Sequence, residues 1–102
     1  MATKTTKGRL AKYGSTELIF ILCARGSSTT AATYTVTTGT RGDFSFGVTE
    51  AITGWHDVMA YEGATLRGVG AVYYASDAAG TYYVDDPNVA INITTSTTVI
   101  ES

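Results

Sequence analysis

Few side chains in this chain are suited to chemistry. It has one imidazole, His56, and one thiol, Cys23. A histidine-based triad would have to use His56 with a serine or cysteine in hydrogen-bond reach, and no G-x-S-x-G elbow is present to supply one. One imidazole and one thiol at unrelated places do not make a structural zinc site. Cys23 lies in the run Leu18-Ile19-Phe20-Ile21-Leu22-Cys23, where a thiol behaves as a small buried hydrophobe. Asp77, Asp85 and Asp86, with Asn88, could surround calcium, which takes several oxygen ligands from loops. The competing reading is structural: Asp77 opens the turn Ser76-Asp77-Ala78-Ala79-Gly80 and Asp86 precedes Pro87, both ordinary uses of aspartate. The spacing lacks the regularity of known calcium loops, so the sequence implies no metal and no cofactor. Arg67-Gly68-Val69-Gly70 falls inside a strand pattern with no helix after it. Its glycines therefore suggest a bulge or a close backbone approach, not a phosphate cradle.

Recognition motifs are also sparse. Arg41-Gly42-Asp43 spells the tripeptide that integrin ligands display, but a tight turn needs the same residues: glycine where φ is positive, polar neighbours beside it. Trp55 and Tyr61, with Tyr73 and Tyr83, are candidates for an aromatic glycan contact. For Trp55 and Tyr61 the alternative is a place in the core. Asn92-Ile93-Thr94 matches a glycosylation acceptor, which carries meaning only on a secretory route.

The elements that must position these residues read as strands. The 102 residues are 44% hydrophobic, with nineteen threonines, seven tyrosines, eleven glycines and one proline, a composition that favours strands and turns and supports a single core. Alternating or apolar runs occupy residues 17–25, 33–38, 43–49, 55–62, 66–75 and 81–85, followed by 89–93 and 97–100. Residues 39–42 read as a hairpin tip between the second and third runs. Residues 76–80 read as another, with Tyr74 facing Tyr82 and Tyr73 facing Tyr83. The predicted fold is all-β: a single-domain antiparallel β-sandwich of seven to eight short strands over residues 16–102. Residues 1–15 lack periodicity and are predicted to form a basic, extended N-terminal arm. Lys4, Lys7, Arg9 and Lys12 are four of the seven basic residues, and the net charge is only −2, too small to argue for nucleic acid. The apolar run before Cys23 is short, abuts Glu17 and has bulky Leu22 where a lipoprotein cleavage site needs a small residue. No segment approaches the roughly twenty apolar residues of a membrane helix.

The run Tyr34-Thr35-Val36-Thr37, then Gly42-Asp43-Phe44-Ser45-Phe46-Gly47-Val48, then Thr53-Gly54-Trp55 and the glycine-bracketed tyrosine segment resembles the immunoglobulin-like β-sandwich modules of tailed-phage virions. Such modules occur in baseplate, tail-fibre and capsid-decorating proteins. The resemblance implies a non-enzymatic structural or attachment role in the virion, often in trimers or on a lattice. The first twenty-five residues have no equivalent in it. Independently, residues 17–25 and the tyrosine segment carry large apolar side chains on both faces, more than one small sandwich keeps dry. That predicts a homo-oligomer, or contact with other virion proteins, through Ile19, Ile21, Tyr73 and Tyr83. The basic arm would grip a neighbour's acidic body through Lys4, Lys7, Arg9 and Lys12. The alternative is an extracellular or cell-surface adhesion module that holds a host glycan on Trp55 and Tyr61. An enzyme built around His56 is a third reading.

Overall fold

The computed structural model describes residues 3–10, 12–84 and the backbone of residues 100–101. The described residues contain no helix, and eight strands form two packed sheets, the predicted β-sandwich. In chain order these are β1 (Lys4–Arg9), β2 (Glu17–Ala24), β3 (Thr30–Thr37), β4 (Asp43–Val48), β5 (Gly54–Glu62), β6 (Thr65–Tyr74), β7 (Gly80–Tyr83) and β8 (Ile100–Glu101). The larger sheet runs β3-β2-β5-β6-β8 and the smaller β4-β1-β7. Residues 85–99, which include Asp85, Asp86, the Asn92 acceptor and the strand expected over 89–93, lie outside the described residues.

Alternation builds the core. Leu18, Phe20 and Leu22 of β2, Val58 and Ala60 of β5, and Val72 and Tyr74 of β6 are buried from one side. Phe44, Phe46 and Val48 of β4 close on them from the other. Phe20 sits 4.3 Å from Phe44 and 5.2 Å from Phe46, centroid to centroid, within aromatic packing range. Each such side chain contributes about 1.5–3 kcal/mol on burial. The β5–β6 hairpin turns at residues 62–65, with Gly63 at φ +62°. A register shift between Ala60 and Tyr61, opposite Gly68 and Leu66, is the irregularity that the glycines of β6 foreshadow.

Three expectations are corrected. Residues 4–9 are not an arm: β1 is the central strand of the smaller sheet, antiparallel to β4 and parallel to β7. Its inward side chains are Lys4, Thr6 and Gly8, so no hydrophobic period marks it as a strand. Next, β3 and β4 do not form a hairpin. β3 pairs with β2 and β4 with β1, so residues 38–42 cross from one sheet to the other. Finally, β7 leaves β6 to pair with β1. Tyr74 and Tyr82 meet across the interior, edge to face at 5.0 Å, not as neighbours in one sheet. Both corrected hairpins have one origin, because β1 offers each of its edges to a strand that local pattern would have paired elsewhere.

Candidate assembly face

Alternation that aims one set of side chains of β2, β5 and β6 at the core aims the other set outward. The register aligns them in rows: Ile19 with Tyr61; Ile21 with Met59 and Val69; Cys23 with Asp57 and Ala71; Trp55 with Tyr73. The register shift sets Leu66 beside Tyr61. Tyr73 and Leu66 are 46% and 39% exposed, the largest exposures of big apolar side chains among the described residues. Ile19, Ile21, Met59, Tyr61, Val69 and Trp55 are half-buried, while Cys23 and Ala71 in the row between are buried. Asp57 is the charged residue within these rows, and Arg25 lies 3.5 Å from its carboxylate. A shallow groove of about 340 Å³ between Ile21, Cys23, Asp57, Met59 and Tyr61 interrupts the surface.

The opposite outer face is unlike it. On the smaller sheet Thr5, Lys7 and Arg9 alternate with the inward residues of β1, and Asp43, Ser45 and Gly47 lie opposite them on β4. Tyr83 belongs to this face, at the register of Lys7. Tyr73 and Tyr83, expected to share one surface, thus sit on opposite sides of the molecule, and only Tyr73 joins Ile19 and Ile21.

The four basic residues expected to grip a neighbour have separate environments. Lys4 is fully buried. Its ammonium donates to the Glu50 carbonyl at 2.9 Å and to the Asp77 carboxylate, and stands 5.9 Å from the centre of the Tyr74 ring. It cannot reach another subunit. Arg9 donates to the Arg41 carbonyl at 3.0 Å and lies 3.9 Å from the Asp43 carboxylate. Lys7 is exposed on β1, and Lys12 is exposed in the connection to β2.

Lys4 belongs to a polar cluster at one end of the interior. The Thr6 and Tyr74 hydroxyls are 2.7 Å apart, and Tyr74 meets the His56 ring edge to face at 5.7 Å. Burial, partly offset by the Thr6 hydrogen bond, raises the Tyr74 phenol well above its ordinary value. His56 is 3% exposed, and its Nδ1 is 3.2 Å from the Gly54 carbonyl. Among the described residues no buried side-chain polar atom lacks a partner. The cluster is satisfied internally, with His56 sealed inside it. At the flank Tyr34 bonds the Glu50 carboxylate and accepts from the Thr49 amide at 3.2 Å. Burial first, then the Glu50 hydrogen bond, raises its phenol pKa.

The remaining candidates are dispersed. Trp55 and Tyr61 are six residues apart on one strand, about 20 Å at strand rise, too far to hold one sugar ring. The Arg25 guanidinium lies 4.9 Å over the Trp55 ring, and Tyr73 packs 5.1 Å away. Arg41 and Asp43 are exposed on the inter-sheet crossing, with Gly42 at φ +85° supplying the backbone turn. Gly42 donates to the Gly39 carbonyl and accepts from Leu10, both at 2.9 Å, so the tripeptide's glycine has a structural use. Asp77 is engaged by Lys4. Among the described residues no group of three or more metal-binding side chains occurs, and no helix there is long and apolar enough to cross a membrane.

Ile19, Ile21 and Tyr73 are therefore on one face, as their apolar character suggests. Met59, Val69 and Leu66 complete it, and the alternation of β5 and β6 was the signal for the first two. No protein-family model matches the chain, and neither a curated protein nor a solved structure does.

Proposed function

We propose that this chain is a non-enzymatic structural subunit whose outer β2-β5-β6 face packs against further copies of itself in a larger particle. One observation carries the reading: large apolar side chains occupy successive cross-strand rows on an outer face, with Asp57 the charge within them and Arg25 beside it. Monomeric proteins rarely leave such a contiguous patch wet. The burial of His56 and of the Lys4 ammonium supports a non-catalytic role, because neither meets solvent where a substrate would arrive. The resemblance of residues 33 onward to phage virion modules makes a virion the setting we favour, as a decoration, baseplate or fibre component.

Light scattering on the purified protein tests this. The parent chain should be an oligomer, Met59→Lys should lower its mass while the protein stays folded, and Ser45→Lys on the opposite sheet should leave its mass unchanged. A parent protein that stays monomeric at high concentration would overturn the reading.

A further inference from the structure

Among the described residues the larger sheet ends on one side at β3, which pairs with β2 and with no strand beyond it. Free edges of this kind are normally blunted by lysine, proline, bulges or brevity. Two other edges are so treated: β7 has four residues, and β4 opens on Asp43 beside Arg9. β3 has eight residues, and neither a charged side chain nor a proline occurs from Gly26 to Thr40. Its one register shift, between Leu22 and Cys23, lies at the far end near Thr30.

Hydrogen bonding shows which groups are open. The Thr38 amide donates to the Thr16 carbonyl at 2.9 Å, in register with the Leu18–Val36 pair. Because backbone groups alternate sides along an antiparallel strand, Val36, Tyr34 and Ala32 turn theirs toward β2. Thr33, Thr35 and Thr37 therefore turn theirs outward. Along the same flank Tyr34 and Val36 are packed on the core yet only half-buried, so the edge is unfinished in side chains as well as in backbone.

We propose that β3 pairs antiparallel with β3 of a second copy, joining two larger sheets into one. A two-fold axis through Tyr34 sets Thr33 opposite the partner's Thr35, both with outward backbone groups. Threonine pairs are favourable cross-strand neighbours. It also sets Ala32 opposite the partner's Val36 and brings the half-covered Tyr34 and Val36 of each copy under the other. The arrangement is isologous and closes at two. A two-fold axis normal to the joined sheet leaves both apolar outer faces on the same side, doubling the surface described above. This inference rests on the reading of the chain as a self-assembling subunit, and it separates the edge from the face.

Thr35→Pro is the test. It removes an outward N–H that bonds nothing among the described residues, a position where edge strands accept proline. The melting temperature should hold, and dimerisation measured by sedimentation should weaken about tenfold or more, since each dimer loses two hydrogen bonds. Unchanged dimerisation of a folded Thr35→Pro protein would overturn the proposal. If that variant fails to fold, hydrogen exchange on the parent chain decides: the Thr33 and Thr35 amides should gain protection as concentration rises, and rapid exchange at every concentration would refute edge pairing. Met59→Lys distinguishes the two surfaces. If it dissociates the assembly while Thr35→Pro does not, the face stands and the edge falls; the reverse leaves a β3 dimer without the face contact.

Discussion

β2 and β1 are both central strands, each flanked on either side, yet they are held by different physics. β2 carries Leu18, Phe20 and Leu22 into the core and Ile19 and Ile21 onto the outer face, so hydrophobic burial alone would place it inside a sheet. β1 sends Lys4, Thr6 and Gly8 inward. Its place depends on backbone pairing along both edges and on partners that satisfy buried polar atoms: Asp77 and the Glu50 carbonyl for Lys4, Tyr74 for Thr6. Apolar strands find a core by default, whereas a polar strand needs each group answered by a named neighbour.

That contrast is easiest to break at two lysines three residues apart. Lys4→Ala removes a buried stem and ammonium and leaves the Glu50 carbonyl without its donor, and should cost about 3 kcal/mol in urea denaturation. Lys7→Ala, on the exposed face of the same strand, should fall within about 0.5 kcal/mol. Lys4→Met sharpens the result. It keeps the stem without the charge, and a recovery of most of the loss would assign the effect to packing. Equal losses at Lys4 and Lys7 would show that β1 is not held as described.

Gly8 tests the same strand through shape. A Cβ there would stand 2.3 Å from Phe44 Cζ, and that ring is packed against Phe20 and Phe46. Gly8→Ala should therefore cost about 1–3 kcal/mol by overpacking, read as a lower melting temperature. A neutral result would mean that the Phe44 ring has room to yield.

The smallest effect is expected at Tyr74→Phe. Loss of the phenol leaves the Thr6 hydroxyl with its bond to the Lys4 carbonyl at 3.2 Å, so the cost should be about 1 kcal/mol near neutral pH. The pH dependence is more informative. The folded phenol is raised above the ordinary 10.0, so the unfolded chain releases this proton first. The stability linked to it is full below about pH 10 and is lost as pH rises beyond that. Melting curves should fall more steeply above pH 10 for the parent than for Tyr74→Phe; parallel curves would place Tyr74 in water.

The same contrast explains how much of the molecule was legible in its residues. The all-β class, the sandwich, the β5–β6 hairpin and the inward set of Val58 and Ala60 follow from period-two alternation, which depends on apolar residues. β1 has none within its span, and its lysines imitate a solvated tail. Once it is read as a tail, β4 and β7 lose their partner, and each is assigned to the nearest strand in sequence. The outer face was partly legible for a related reason. Ile19 and Ile21 lie in a run apolar on both sides, but the surface that Tyr73 and Tyr83 occupy depends on which sheet each strand joins. That is a long-range fact, and local pattern does not contain it.

The parallel partnership of the first and seventh strands, with Lys4 at the register of Gly80, orders events in time. A polypeptide emerging from the ribosome makes β1 well before β7, its second neighbour, which arrives near the end of the described chain. Nearest-neighbour pairing of β2 with β3 and of β5 with β6 can proceed earlier, while closure of the smaller sheet must bridge most of the length and is correspondingly slow. Until then β1 has only one of its two neighbours, and its polar side chains keep the open edge from sticking to the wrong surface.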